Sequence, residues 1–134
     1  MVTGVNPMIG IGTDIIECER IAQMIGRHSD HFLHRVFTEQ EILYCSGRKS
    51  SDQHFAGRWA AKEAVLKAIG TGWISGIRWT DVEVVNEISG APVVRLHGGA
   101  ARIAMEKGIM RLKITISHCK TYAVAFAVAL GIDE

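Results

Sequence analysis

The sequence predicts one domain in which helices and strands are mixed around a single central helix, and three stretches carry that prediction. From Phe55 to Gly72 the chain reads FAGRWAAKEAVLKAIGTG. At 100° per residue Phe55, Trp59, Leu66 and Ile69 fall in a narrow arc, the apolar stripe of a helix packed on a core. From Ile9 to Ile16, Ile9, Ile11, Thr13 and Ile15 alternate with Gly10, Gly12, Asp14 and Ile16, which is the period of a strand. Between Leu112 and Leu130 two more alternating runs succeed one another across a short turn. The 134 residues, 48% of them hydrophobic, supply one core and make a two-domain reading forced.

Composition narrows the function classes. Fifteen basic against 14 acidic residues give a net charge of +1, so no global field recruits nucleic acid or an anionic membrane, and any basic site is local. Cys18, Cys45 and Cys119 share no short spacing suited to zinc or a disulfide framework, which suggests reduced thiols in the cytoplasm. Residues 1–8, MVTGVNPM, lack the features of a signal peptide and read as a flexible extension of the domain. The longest apolar run, Tyr122 to Ile132, is about half of the roughly 20 residues a membrane-crossing helix needs.

Taken in order, the first strand sets Asp14 on one face with two glycines, which leaves room beside its carboxylate; an Asp capping the next helix is the plainer alternative. Ile21, Met24 and Ile25 suit a short amphipathic helix from Glu17, stopped near Gly26. Arg20 and Arg27 fall on one side of it, either as a solvated face or as a docking surface for an acidic partner. His28, His31 and His34 recur every third residue without acidic or cysteine ligands at suitable spacing, which argues against a metal site. Phe32 and Phe37 are expected to anchor this segment. Thr38 and Glu41 form a capping box for a helix to about Cys45, and the polar stretch Ser46 to Asp52 is a loop from which Ser51 or Asp52 caps the central helix.

Beyond Gly72 a loop carrying Trp73 and Trp79 leads to a strand, Asp81 to Ile88. The turn Ser89 to Pro92 then returns the chain through Val93 to Leu96. A helix from Ala100 to Lys107 ends at Gly108. In the last two strands Leu112, Ile114, Ile116 and His118 share a face, and Tyr122, Val124, Phe126, Val128 and Leu130 alternate with four alanines. His118, at the end of its strand, is either a structural residue or part of a site.

The central helix carries Arg58, Lys62, Glu63 and Lys67, and its far side is a ridge of Ala56, Ala60, Ala61, Ala64 and Ala68. A helix apolar on both sides is mostly buried, so its charges need partners. Pairing Glu63 with Lys67 as an i,i+4 ion pair leaves Lys62, within the apolar stripe, without one. If Asp14 and Glu63 meet in space, two carboxylates with open coordination suit Mg²⁺, which keeps water and takes further ligands from substrate phosphates. Arg58, Lys62 and Lys67 would then face those phosphates.

The segments GIGTDIIE (Gly10 to Glu17), FAGRWAAKEAVLKAIGTG and ISHCKTYAVA (Ile116 to Ala125) closely resemble, in order and spacing, the holo-acyl-carrier-protein synthases, small bacterial 4′-phosphopantetheinyl transferases. The resemblance spans nearly the whole chain from Met8. It implies an α+β fold, a small antiparallel sheet packed around the long central helix, assembled as a homotrimer with sites between subunits. It implies transfer of 4′-phosphopantetheine from coenzyme A to a serine of apo acyl carrier protein, with release of adenosine 3′,5′-bisphosphate. Asp14 and Glu63 fall on the family's Mg²⁺ positions, and Arg58, Lys62, Lys67 and His118 on positions lining the coenzyme A site, with Lys67 also counted as catalytic. The hydroxyl proton is assigned to Glu63 or to a metal-bound water held by Asp14 or Glu63. Glu17 fits the first-strand pattern, and Arg20 the carrier-docking position on the first helix. Trp59 stands where Phe is common, and Cys119 where a hydroxyl residue is frequent. Competing functions are a Mg²⁺-dependent hydrolase of coenzyme A-like diphosphates and a non-catalytic module that binds coenzyme A or a carrier.

Overall fold

The computed structural model describes residues 7–131 apart from residue 75. The first strand, β1 (Met8–Glu17), runs straight into α1 (Cys18–Val36), followed by α2 (Glu39–Ser46) and the long α3 (Ser51–Ile69). A 3₁₀ turn at Trp79–Asp81 leads to β2 (Val82–Asn86) and β3 (Pro92–Leu96), then α4 (Gly98–Glu106), β4 (Arg111–His118) and β5 (Tyr122–Leu130). The strands form two antiparallel sheets, one ordered β1-β5-β4 and the other a β2-β3 hairpin. Met8 already belongs to β1, so of the expected N-terminal extension only residues 1–6 lie outside the described residues.

The larger sheet wraps α3 through small residues. Ala123, Ala125, Ala127 and Ala129 of β5 are buried against it, as are Ala60, Ala61, Ala64 and Ala68 of the helix. A Cβ at Gly10 would lie 1.9 Å from the Ala68 carbonyl oxygen, and one at Gly12 would lie 2.0 Å from that of Ala64. The room expected beside Asp14 is therefore filled by the α3 backbone, and only glycine permits that approach. The small-residue faces are consumed within the chain and are not available for packing between subunits. The large face of β5 points outward instead, and Tyr122, Val124 and Phe126 are exposed beside Ile11 and Ile15 of β1.

The expected helix stop at Gly26 is absent. α1 continues to Val36 through an irregular residue, Ser29 (φ 46°, ψ −127°), because Phe32 and Val36 farther along are buried in the core and hold the second half down. Phe32 and Phe37 meet edge to face at 6.2 Å, as anchors should. The Thr38–Glu41 capping box is present in full. The cap residue of α3 is Ser50 rather than Ser51 or Asp52, and its side chain makes no capping hydrogen bond. At the other end Gly70 (φ 90°) takes the left-handed conformation, with its N–H donating to the Leu66 carbonyl, while Lys107 Nζ donates to the Ile69 carbonyl at 2.7 Å.

Candidate active site

Asp14 sits on the inward face of β1, opposite Ala125, where the strand crosses α3. Lys67 reaches over from the helix. Its ammonium donates to the Thr13 carbonyl at 2.8 Å and lies 3.4 Å from Asp14 Oδ1. Burial raises the Asp14 carboxyl above its ordinary value, and the attraction of Lys67 offsets that only in part. Lys67 is half exposed, so the pair is screened and adds little stability. Glu63 lies one turn before Lys67 on α3, but the two make no ion pair. Glu63 Oε1 instead accepts a hydrogen bond from Trp73 Nε1 at 2.9 Å, and its second oxygen has no hydrogen bond among the described residues.

This donor set fits a small hard divalent cation. It comprises the partly buried Asp14 carboxylate with the Lys67 ammonium beside it, and one turn before Lys67 on α3 the Glu63 carboxylate with one oxygen free of hydrogen bonds among the described residues. Among the described residues no cluster of three or more His, Cys, Asp or Glu side chains could cage a metal. An ion here would draw its remaining ligands from water and from phosphate oxygens, as Mg²⁺ does.

Lys62 does not belong to the site. Its side chain is fully buried, and its ammonium donates to Glu41 Oε1 at 2.9 Å, to the Trp79 carbonyl at 3.2 Å and to the Val82 carbonyl. All three donors of the ammonium are used, so none remains for a phosphate. Glu41 also accepts from the backbone N–H of Thr38 and of Val84. Burial pulls the Lys62 pKa downward, and Glu41 opposes that shift. The expectation that Lys62 lines a coenzyme A site is corrected accordingly: it ties α3 to α2 and the hairpin.

A second group gathers at the other end of α3. His118 Nδ1 donates to Gln53 Oε1 at 2.9 Å, and its ring meets that of His54 at 5.0 Å. Arg58 and Arg48 each lie over the Tyr44 ring, 4.1 Å from its centre. Arg58 Nη2 donates to Asn86 Oδ1, while its Nε is buried without a partner. His54 is held below its ordinary pKa by burial, then by His118, Arg58 and Arg48. No carboxylate lies within ion-pair distance of either arginine among the described residues. The group is an electropositive cluster short of counter-charge, suited to a phosphate.

Gln53 and Lys67 stand at opposite ends of the helix, about 20 Å apart along its axis at 1.5 Å per residue. Across the sheet, however, His118 and Asp14 share one face: β5 pairs Ala123 with His118 and Ala125 with Asp14, which sets the two residues two strands apart with no hydrogen bond between their side chains. Arg20 is exposed on the first turn of α1, in a cleft of about 320 Å³ with Ile15, Ile16, Glu17 and Tyr122. Sequence reasoning missed Arg48, Tyr44 and His54. The signal available for them was a basic residue four positions after Tyr44 in the polar loop. It missed the Trp73 contact entirely.

Cys119, next to His118, is exposed, and backbone hydrogen bonding at Tyr122 and Thr121 lowers its thiol pKa. Burial pushes Cys45 up to about 12 and also raises Cys18. Iodoacetamide at neutral pH is therefore expected to label Cys119 first, as read by peptide mass spectrometry. Equal labelling of all three would contradict this environment.

Comparison with known proteins points to one family. Residues 10–127 match the model of the 4′-phosphopantetheinyl transferase superfamily. A holo-[acyl-carrier-protein] synthase of Protochlamydia amoebophila is 49% identical over 120 residues, covering 90% of this chain and 96% of that one. The crystal structure of the corresponding synthase from Neisseria meningitidis superposes with a TM-score of 0.84 at 29% identity, covering 92% and 98% of the two chains. That of Bacillus anthracis, in complex with CoA (3′,5′-ADP), gives a TM-score of 0.77 at 35% identity over 93% and 98%.

Proposed function

The chain belongs to the 4′-phosphopantetheinyl transferase superfamily, and from that premise we propose that it transfers 4′-phosphopantetheine from coenzyme A to a serine of apo acyl carrier protein, in a Mg²⁺-dependent reaction that releases adenosine 3′,5′-bisphosphate. The observation that carries this reading is the Asp14–Lys67 contact with Glu63 one turn away, two carboxylates and an ammonium at a partly buried strand–helix crossing. Asp14 and Glu63 would hold Mg²⁺, which when bound neutralises the diphosphate and stabilises the departing phosphate. Lys67 adds positive charge beside the same oxygens. The serine oxygen attacks the phosphorus bearing the pantetheine arm, the bond from that phosphorus to the bridging oxygen breaks, and the hydroxyl proton passes to Glu63 or to a water that Asp14 or Glu63 holds.

The basic cluster of Arg58, Arg48, His54 and His118 is the candidate seat for the phosphates of the nucleotide portion. The cluster does not touch Asp14 within the chain, and contacts from a neighbouring subunit are proposed to complete the site. The exposed apolar face of Ile11, Ile15, Tyr122, Val124 and Phe126 supports such an assembly, read as a homotrimer with sites between subunits. Three unpaired cysteines support a cytoplasmic protein, and no helix among the described residues is long and apolar enough to cross a membrane.

The test incubates the protein with apo carrier, coenzyme A and Mg²⁺ and follows the intact mass of the carrier. A phosphopantetheine adduct supports the transferase. Free phosphopantetheine without adduct indicates a hydrolase, and unchanged substrates a binding module. Arg20, beside the cleft with Tyr122, is assigned to the acidic recognition surface of the carrier. Arg20→Glu is expected to raise the KM for carrier about tenfold or more while leaving the Kd for coenzyme A unchanged. Equal losses for both would make Arg20 structural.

A further inference from the structure

We propose that Trp73 is a positioning residue for the reaction: its indole N–H holds one oxygen of Glu63 and so presents the other to the metal. The inference rests on the proposed role of Glu63 as a Mg²⁺ ligand. It begins with the turn that ends α3. Gly70 (φ 90°) and Gly72 (φ 65°) both take positive φ, and this reversal folds the next residue back along the helix. Trp73 thereby reaches Glu63, ten positions earlier in the chain.

The indole is held in place by two others. Trp73 stacks on Trp79 with ring centres 3.9 Å apart, and Trp79 stacks on Trp59 at 4.2 Å. Trp59 stands one turn before Glu63 on α3, so the ladder starts and ends on the same helix. Its middle rung is fixed as well, because the Trp79 carbonyl accepts from the buried ammonium of Lys62. The direction of the Trp73 N–H thus follows from packing across three elements.

An indole N–H is a neutral donor with no acceptor of its own. It orients a carboxylate without cancelling its charge, whereas a lysine in the same place would compete with the cation. Lys67, one turn farther along α3, is turned to Asp14 instead. Removing a partner that orients a metal ligand lowers metal affinity by roughly 10–100-fold.

Mn²⁺, counted by the EPR signal of the free ion, can be titrated into the full chain, into Glu63→Gln, and into Trp73→Phe and Trp73→His. The expected result is that Trp73→Phe binds about 10–100-fold more weakly, and that Trp73→His, which retains a ring N–H, recovers most of the loss. In turnover, Trp73→Phe should need more Mg²⁺ for half-saturation by the same factor, with kcat restored at saturating Mg²⁺. Wild-type Mn²⁺ affinity in Trp73→Phe, with binding lost in Glu63→Gln, overturns the role of Trp73 and leaves the metal site standing. Unchanged affinity in Glu63→Gln overturns the metal reading itself. Equal weakening in the Phe and His variants assigns the effect to packing and rejects the hydrogen bond. One measurement needs no variant: saturating Mn²⁺ should quench tryptophan emission of the unaltered chain, and absence of quenching would put the ion away from Trp73.

Discussion

Glu63→Gln and Asp14→Asn are each expected to lower transfer by more than the roughly 10–100-fold typical of losing a residue that merely supports a ligand, while the chain stays folded. The two changes differ in what they do to stability. Asp14 has its carboxyl raised by burial, so in the folded state the charged form is disfavoured. With the folded value above the unfolded one, this group's contribution is fully present below the ordinary carboxylate value of 3.8 and is lost as pH rises through the raised value. At neutral pH the ionised Asp14 is a cost to the fold. Asp14→Asn should therefore melt no lower than the parent chain while losing activity. At limiting Mg²⁺ the acid limb of the pH–rate profile should begin above the range of an ordinary aspartate, because ionised Asp14 is the form that binds a cation, and saturating Mg²⁺ should move that limb to lower pH. Calorimetry with turnover at several pH values checks both. Full activity in both variants would remove the metal assignment.

The second large effect concerns Lys62. Lys62→Met leaves Glu41 ionised in the core without its counter-charge, and the carbonyls of Trp79 and Val82 without their donor. Breaking a fully buried pair from one side costs about 3–5 kcal/mol, a large part of the roughly 5–15 kcal/mol that holds a domain folded. The variant is expected to unfold at much lower urea concentration, and its folded fraction should bind coenzyme A with unchanged Kd. A variant of normal stability with weakened coenzyme A binding would return Lys62 to the ligand site. The cost arises because Glu41 is held in the core by two further duties, completing the α2 capping box and accepting from the Val84 N–H, and cannot move out to water when Lys62 is lost.

Much of the architecture was legible from short-range patterns. The alternation at Ile9 to Ile16 and at Tyr122 to Leu130 and the Thr38–Glu41 box each depend on neighbours a few residues apart. Gly26 misled for the complementary reason. Local propensity ended α1 there, whereas burial of Phe32 and Val36 extended it. The β5 strand was correctly seen to have a large and a small face. Which one is inward depended on the alanine ridge of α3, since only small residues let the two backbones come so close.

By itself the sequence determined that this chain builds a helix with buried charges, a strand carrying Asp14, and a combination of motifs specific to one family of transferases. It singled out Lys62 as a charge in need of a partner, and directed it to phosphate. Only the tertiary structure decided that the partner is Glu41, 21 positions away, and that the lysine beside Asp14 is Lys67. It likewise decided that Glu63 answers to Trp73 rather than to Lys67. The physical reason is common to these cases. Periodicity reports which side of a helix is dry, but the identity of a buried charge's partner depends on which distant segment the fold brings within three ångströms of it.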